Sequence, residues 1–314
     1  MVDVSIVIVN WNTKKLLLDC IGSILNVTLE HGVEVIVVDN GSHDGSSETV
    51  MARFPEVKVI CNDSNLGFAK ANNIGIRAST GRYICLVNSD IKVLEGCIES
   101  LCRYMDSRQE VGLVAPQILN GDLSIQVSCS ELPSLRNSFV QAMFLDKLLP
   151  SISVCRPRFM NAFSHQSVLS VPVLSGCFQM ARRKALNEVG LLDERFFIYK
   201  EDVDWCKRFC DAGWRVIFYP EAKAIHYGGA SSSAAPAKFL IEMEKANRQY
   251  WKKHHTWLAQ KIAAGISVTR FGLRLIGWTV TYLVKCGNSV NAKEMIRRYA
   301  ACIHWLIGRG ADAL

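Results

Sequence analysis

The first half of the chain alternates short apolar runs with segments whose apolar residues recur at helical spacing. Val4–Val9 and Val33–Val38 are β-branched runs typical of buried strands, and the segment that begins at Thr13 has apolar residues three or four positions apart. Further along, the same patterns predict a short helix after Gly45, a strand at Val57–Ile60, a helix through Lys70–Ala78 and a strand at Tyr83–Val87. This order predicts an α/β fold whose mostly parallel sheet is flanked by helices.

Polar residues directly follow two of these strands. Tyr83–Val87 runs into the triplet Asn88-Ser89-Asp90, and the second strand runs into Asp39. Ligands of open α/β sheets bind at the carboxyl ends of the strands, where carboxylate and amide oxygens suit a divalent cation or the hydroxyl groups of a nucleotide. Turn formation is the alternative, because Asn and Asp are common turn residues.

The segment Asn65–Gly75 opens a predicted helix with further polar residues. Gly67 precedes the first turn, whose N–H groups are free of intrahelical partners, and Lys70 adds a positive charge, so this helix end suits an anionic ligand. Asn72 and Asn73 have poor helix propensity, which indicates another role for at least one of them. The alternative for one of the two Asn residues is a place on a solvated helix face.

The second half is less regular. Residues 129–170 lack clear periodicity apart from one predicted helix at Leu135–Leu148, and we interpret them as an insertion. A strand is predicted at Val171–Met180, where Gly176 would let either a ligand or a packed neighbour approach the backbone closely.

Acidic residues cluster where the next helix begins. Glu201, Asp202 and Asp204 lie in its first turn, where the helix dipole favours negative charge. A carboxylate near like charges also keeps a raised proton affinity, which suits a general base. Farther on, His226 ends a short apolar strand, and a histidine there is either a structural residue or a metal ligand.

The basic charge of the chain is concentrated in its last quarter. Residues 237–314 carry 13 Lys and Arg against 4 Asp and Glu, which leaves a net charge of −2 on residues 1–236. A small-residue stretch at 231–236 marks the boundary. The apolar residues of 258–285 are mixed with Lys, Arg, Trp and Tyr, which predicts helices that lie on an anionic membrane surface or pack in a homodimer. We expect no nucleic-acid partner, because no recognition motif accompanies the charge.

Composition excludes several other classes of protein. With 49% apolar residues in 314, the chain can build a core and is not disordered. Its twelve Cys lack the paired spacing of a zinc site, and it begins without the pattern of a signal peptide, so we expect a cytoplasmic protein. The first strand is followed by Asn10-Trp11-Asn12 without glycine, which argues against a dinucleotide-binding dehydrogenase.

Four motifs in order carry a family resemblance. They are Ser5–Asn12, Val37–Ser46, Asn65–Ala69 and Asn88–Asp90. Together they resemble the family-2 glycosyltransferases of the GT-A fold, which has a Rossmann-like sheet, and most of all the bacterial rhamnosyltransferase-like subgroup. The resemblance covers about residues 3–230.

The resemblance implies roles for particular residues. Asp202 would be the catalytic base, with Glu201 as the less favoured candidate, and Asp90 with His226 would hold Mg²⁺ or Mn²⁺. In the family's Asp-X-Asp type motif the first aspartate is replaced here by Asn88. The expected lining of the nucleotide-sugar site is Asn10, Asp39, Asn65, Gly67, Lys70, Asn73 and Asn88.

The implied activity is inverting, metal-dependent transfer of a sugar from a nucleoside-diphosphate sugar to a lipid-linked glycan in cell-surface polysaccharide synthesis. Rhamnose from dTDP-rhamnose is the first choice. A galactofuranosyl or N-acetylglucosaminyl transferase and a non-catalytic membrane scaffold are the alternatives. We expect a catalytic domain at 1–235, with its nucleotide-sugar half at 1–128 and its acceptor half at 129–235. A helical tail at 236–314 would be peripheral on the inner face of the cytoplasmic membrane.

Overall fold

The computed structural model describes residues 2–26, 32–149, 151–152, 166–228, 236–286 and 288–308. By packing, the chain divides into two compact units, one of residues 1–132 with 158–231 and the other of residues 133–157 with 232–314. The predicted boundary residues 231–235 lie outside the described residues. The segment 133–157, which the sequence analysis assigned to the acceptor half, belongs by its contacts to the unit of the C-terminal helices.

A nine-stranded sheet forms the first unit. Its strands are β1 (Val4–Asn10), β2 (Val33–Asp39), β3 (Lys58–Cys61), β4 (Tyr83–Asn88), β5 (Ile91–Val93), β6 (Val111–Leu119), β8 (Leu169–Ser170), β10 (Phe178–Arg182) and β11 (Arg215–His226); a separate pair joins β7 (Cys129–Ser130) to β9 (Val173–Leu174). The strand order is β3-β2-β1-β4-β10-β6-β11-β5, with β8 paired to β11. The four strands at one end, β3 to β4, are all parallel, whereas β10 runs antiparallel to both of its neighbours.

Side-chain alternation along β1 feeds two hydrophobic cores, one on each face of the sheet. Ile6 and Ile8 pack with Leu17 and Ile21 in one cluster, whereas Val7 packs in the other with residues of the opposite helices. Helices therefore cover both faces, and the predicted α/β class is confirmed. The helices of this unit are α1 (Lys14–Leu25), α2 (Ser46–Arg53), α3 (Phe68–Arg77), α4 (Cys97–Asp106), α7 (Arg183–Val189) and α8 (Glu201–Asp211).

Three elements differ from the predicted ones. The predicted strand Val171–Met180 is two strands separated by a turn at 175–177, and the predicted helix Leu135–Leu148 is two helices separated at Phe144, whose φ is +56°. The short strand predicted to end at His226 is the last part of the longer strand β11, which has an irregular register between Tyr219 and Lys223. The region 91–119, for which no element was predicted, contains β5, α4 and β6.

The second unit is helical. Its long helix α10 packs against α5, α9 and α11, and its small core is built on Phe271, Cys302 and Leu306. The helices are α5 (Leu135–Ala142), α6 (Leu145–Leu148), α9 (Pro236–His254), α10 (Trp257–Val284) and α11 (Val290–Gly308). A search of the described residues finds no helix with the length and apolar character to cross a membrane.

Candidate active site

Three polar strand ends meet at one edge of the sheet. In the registers of β1 with its two neighbours, Asn10 pairs with Asp39 and Val9 pairs with Asn88. Parallel strands bring their carboxyl ends to the same edge, so the residues predicted for the nucleotide-sugar site are adjacent through the sheet.

Asn10 is buried, and its amide is committed to protein partners. Its Nδ2 donates to Oδ1 of Asp39 (2.8 Å) and to Ser42 Oγ (3.0 Å), and its Oδ1 accepts from Thr13 Oγ1 (2.7 Å). The backbone N–H of Ser42 donates to the other oxygen of Asp39 (3.0 Å). Each carboxylate oxygen has a second lone pair, so Asp39 retains capacity to accept from a ligand, and Asn10 positions it.

Asn40, which the sequence analysis did not single out, holds the loop before α3. Its Nδ2 donates to Oδ1 of Asn65 (2.9 Å), and its Oδ1 accepts from the backbone N–H of Leu66 (3.0 Å). Oδ1 of Asn65 also accepts from the N–H of Gly67 (2.9 Å). The only sequence signal was the position of Asn40 at a strand end, before Gly41.

The start of α3 is less open to an anion than predicted. The N–H of Phe68 donates to the carbonyl of Phe197 (2.6 Å), and the N–H of Gly67 is already bonded to Asn65. Gly67 has φ +88°, and a Cβ at this position would lie 2.6 Å from the oxygen of Phe197. Two of the N–H groups expected for a ligand therefore bind protein atoms, whereas Lys70 is exposed.

Asn73 is buried, and its amide is bonded to protein atoms. It is 1% exposed, its Nδ2 donates to the carbonyl of Leu192 (2.8 Å) and to Glu194 (3.0 Å), and its Oδ1 accepts from the N–H of Leu192 (3.1 Å). Both ends of the amide thus tie α3 to the segment before the acidic cluster. A role of Asn73 in the nucleotide-sugar site stays a prediction.

Asp90 and His226 meet, as expected for a metal pair. Nε2 of His226 lies 3.2 Å from Oδ1 of Asp90, and the N–H of Tyr227 donates to the carbonyl of Asp90 (3.0 Å). Nearby, Oδ1 of Asn88 is buried without a hydrogen-bond partner among the described residues. The residues that the structure describes contain no cluster of three or more His, Cys, Asp or Glu side chains that could hold a metal ion.

Gln126, also missed by the sequence analysis, orients this histidine. Its Nε2 donates to Oδ1 of Asn120 (2.9 Å), so its Oε1 accepts from Nδ1 of His226 (2.7 Å). In the neutral histidine Nε2 then carries a lone pair that faces a carboxylate oxygen of Asp90. Two acceptor atoms 3.2 Å apart can share a divalent cation. A proton bound to Nε2 would instead make the histidine and Asp90 an ion pair.

Asp202 lies in the first turn of α8, after two residues with strained backbone. Tyr199 and Lys200 have φ of +71° and +68°, which costs free energy for residues with a side chain. Oδ2 of Asp202 accepts from the N–H of Gly176 (2.9 Å), and a Cβ on Gly176 would lie 3.0 Å from Cβ of Asp202. The close approach that Gly176 permits is therefore to Asp202.

The turn at 175–177 connects Asp202 to the end of β4. The N–H of Asn88 donates to the carbonyl of Cys177 (2.9 Å), next to the Gly176 N–H that binds Asp202. Burial raises the pKa of the Cys177 thiol to about 12, and the charges of Asp90 and Asp202 add to the rise. The turn is therefore bonded both to the Asp202 carboxylate and to the strand end that precedes Asp90.

Burial separates the two base candidates. Glu201 is 5% exposed, and its Oε2 has no hydrogen-bond partner among the described residues, whereas Asp202 is half-buried. Burial and the neighbouring charge of Asp202 raise the pKa of Glu201 well above its usual range. Burial also raises the pKa of Asp202, against the hydrogen bond from Gly176 and the charge of Lys200, which lower it.

Comparison with known proteins identifies the class. The profile described as Glycosyl transferase family 2 matches residues 5–190, and the chain belongs to this family. The resemblance found in the sequence is confirmed, and the protein is a glycosyltransferase.

Individual relatives are similar to this chain at modest sequence identity. An N-acetylglucosaminyl-diphospho-decaprenol L-rhamnosyltransferase of Mycobacterium tuberculosis is 29% identical over 248 residues, which cover 74% of this chain and 78% of the relative. A dTDP-rhamnosyl transferase of Shigella flexneri is 26% identical over 255 residues, or 80% of this chain and 78% of the relative.

A solved structure shares the fold. The mannosyltransferase from Pyrobaculum calidifontis, in complex with GDP-Man and Mn²⁺, matches 98% of this chain and 87% of its own with a TM-score of 0.57 and 14% identity. This likeness confirms the predicted GT-A fold.

Proposed function

We propose that this protein is an inverting, metal-dependent glycosyltransferase that moves rhamnose from dTDP-rhamnose to a lipid-linked glycan. One observation carries the proposal: the turn at 175–177 is hydrogen-bonded both to the Asp202 carboxylate and to Asn88, two residues before the Asp90 that meets His226. Inverting transfer needs a charge-neutralising group at the leaving diphosphate and a base at the acceptor hydroxyl, and this arrangement offers both.

The donor would bind at the carboxyl edge of the sheet. Asp39, held by Asn10, would accept from the base or the ribose of the nucleotide, and Lys70 would face its phosphates. Asp90 and His226 would hold Mg²⁺ or Mn²⁺, which when bound offsets negative charge on the diphosphate. An aspartate and a histidine leave room for phosphate oxygens and water in the remaining ligand positions.

Asp202 would act as the base. It takes the proton of the acceptor hydroxyl while that oxygen bonds to the anomeric carbon and the bond from this carbon to the diphosphate oxygen breaks. The Gly176 N–H holds Oδ2 of Asp202 in place, and the raised pKa makes its carboxylate a stronger base. Glu201 is buried, whereas Asp202 is half-buried, which favours Asp202 for contact with the acceptor.

The choice of sugar and acceptor rests on the relatives. Two curated relatives are named as rhamnosyltransferases, one with dTDP-rhamnose in its name and the other with a diphospho-decaprenol acceptor. At 26–29% identity the donor pocket can differ. A galactofuranosyl or N-acetylglucosaminyl transferase on the same fold is therefore the competing donor assignment.

Calorimetry with a panel of nucleoside diphosphates and their sugars, with and without Mn²⁺, tests the donor site. We expect binding of dTDP and dTDP-rhamnose that Mn²⁺ strengthens in the wild-type protein and not in Asp90→Ala. Asp63→Ala, which removes an exposed carboxylate, is the matched control and should behave as wild type.

Turnover is measured on the same proteins with a lipid-linked acceptor. Asp202→Asn should lower kcat by about 10²–10⁴-fold and leave donor affinity unchanged, because it removes only the base. Preference for a uridine or guanosine nucleotide would overturn the rhamnose assignment alone. Wild-type turnover in Asp202→Asn would overturn the assignment of the base.

We also propose that α10 lies on an anionic membrane surface. Ile276 and Leu283 are 62% and 67% exposed, and they lie with Leu258, Ile262 and Val280 on one face of the helix. Flotation with phosphatidylglycerol vesicles, but not with phosphatidylcholine vesicles, is the expected result. In the competing arrangement the same face is buried in a homodimer. Light scattering without vesicles measures the molar mass and would then show a dimer.

A further inference from the structure

The C-terminal helices enclose a cavity of about 470 Å³ that the proposed reaction does not use. Residues from one face of α9, spaced three and four positions apart, form one wall: Lys245, Arg248, Gln249 and Lys252. The opposite wall is α10, where Ala263, Ala264 and Ser267 leave the space open because their side chains are small.

The charge of the lining has one sign. Three basic residues line the cavity, and none of its lining residues among those described is Asp or Glu. Lys245 is paired with Glu242 (2.7 Å), whereas Lys252 has no acidic partner in the described ranges. Glu244, buried one turn before Arg248, offsets part of the charge, so the lining keeps a net positive charge.

Arg248 is held in place as a donor. Its guanidinium lies 4.8 Å from the ring centroid of Trp305 and donates to the carbonyl of Leu306 (3.1 Å). Its Nε is buried without a hydrogen-bond partner among the described residues, so the N–H groups that can meet a ligand are those on the two Nη atoms. The guanidinium is therefore oriented by the protein as a donor.

Trp251 contributes its ring to the lining. It is 3% exposed, and its indole N–H is buried, without an acceptor among the described residues and without surface that faces the cavity. The groups that can bind an anion in this cavity are therefore the basic side chains, and the indole ring supplies an apolar wall.

We infer that this cavity binds a phosphate or diphosphate group. A guanidinium and two ammonium groups around one space suit an anion with several acceptor oxygens. A cavity within the range of about 300–1,000 Å³ typical of ligand sites also has room for the group attached to the phosphate. That group is either the chain of a phosphorylated lipid or part of a small soluble phosphate, and the inference does not depend on the proposed function.

Calorimetry on the full chain, with EDTA present to keep divalent ions from the Asp90–His226 pair, tests the inference. Pyrophosphate is the soluble probe and farnesyl diphosphate is the lipid-borne probe. Equal affinities would show that the soluble anion suffices, whereas at least about tenfold tighter binding of farnesyl diphosphate would show that the lipid chain takes part. Either result supports the site, provided that the variants below weaken the binding.

Two variants change the cavity in different ways. Lys252→Glu reverses a charge, and Ala264→Leu fills the space without changing charge; each should raise the dissociation constant by about tenfold or more. Lys261→Glu and Ala259→Leu make the same changes on residues of α10 that do not line the cavity. These two control variants should leave the dissociation constant unchanged. Thermal unfolding confirms that all four variants fold.

Two results would overturn the inference. One is the absence of binding of either probe to the folded wild-type protein. The other is binding whose affinity is the same in Lys252→Glu and Ala264→Leu as in their controls, since the probes would then occupy another site.

Discussion

The backbone N–H of Gly176 donates a 2.9 Å hydrogen bond to Oδ2 of Asp202, across 26 residues of sequence. The bond forms because Gly176 has no side chain: a Cβ there would lie 3.0 Å from Cβ of Asp202 and 3.4 Å from its Cγ. Asp202 is thereby held against the turn that also binds the end of β4.

Gly176→Ala should displace the Asp202 carboxylate and lower kcat. The added methyl group forces the side chain away by a few tenths of an ångström, and overpacking of this kind costs about 1–3 kcal/mol. We expect kcat to fall by about tenfold, with donor affinity unchanged, in steady-state assays and calorimetry.

Gly22→Ala is the matched control for this substitution. No described atom outside its own helix lies within 4 Å of a Cβ at Gly22, so alanine there should leave kcat unchanged and favour the helix α1. A wild-type kcat in Gly176→Ala would show that the position of Asp202 does not limit the reaction.

Glu201→Gln should remove a pH dependence of stability. Burial raises the pKa of Glu201, so between its usual value near 4.5 and the raised value the folded protein keeps a proton that the unfolded chain has lost. The wild-type free energy of unfolding therefore falls as pH rises through this window, relative to the variant, by up to about 1.4 kcal/mol per pH unit.

Urea unfolding at several pH values measures this difference. Glu95→Gln, at an exposed glutamate, is the control, and its free energy of unfolding should differ from that of wild type by the same amount at every pH. If the difference for Glu201→Gln were also independent of pH, it would contradict the expected protonation of the buried carboxyl group.

Gln126→Leu should weaken metal binding without touching a metal ligand. Leucine has a similar size but cannot accept from Nδ1 of His226, so the ring loses the contact that sets its orientation and proton position. Loss of such a partner lowers metal affinity by about 10–100-fold. Titration of Mn²⁺ in the presence of the nucleoside diphosphate, followed by electron paramagnetic resonance, measures the affinity.

Gln126→Glu keeps an acceptor for Nδ1 and should retain more of the affinity than Gln126→Leu. Gln109→Leu changes an exposed glutamine away from the histidine and should have no effect. Equal Mn²⁺ affinity in wild type and Gln126→Leu would show that the histidine does not need this partner.

Gly67→Ala should destabilise the protein more than Gly96→Ala. Both glycines have positive φ, but a Cβ at Gly67 would lie 2.6 Å from the carbonyl oxygen of Phe197, whereas none of the described atoms lies within 4 Å of one at Gly96. We expect about 1 kcal/mol for the conformational cost at Gly96 and at least about 2 kcal/mol at Gly67.

The urea midpoints of the two variants make this comparison. A larger loss for Gly67→Ala, together with weaker donor binding, would fit the placement of the loop at Gly67 beside the segment that leads to Asp202. Equal losses would mean that Phe197 moves away without cost.

The sequence by itself determined the strands at the centre of the sheet and the residues at their ends. The continuous apolar runs Val4–Val9 and Val33–Val38 are typical of strands covered on both faces, and carboxyl ends of parallel strands share one edge, so Asp39 and Asn88 could be placed at the same edge, where β1 lies between them. The acidic start of α8 was likewise visible as charge in the first turn of a helix.

Only the tertiary structure decided which of these polar groups are already paired. Asn73 finds its partner at Leu192, Phe68 at Phe197 and His226 at Gln126, over separations of 119, 129 and 100 residues. Local periodicity states which face of an element is buried, but not which distant backbone or side-chain atom will meet it. That choice depends on how the elements pack, because a hydrogen bond requires two atoms to come within about 3 Å.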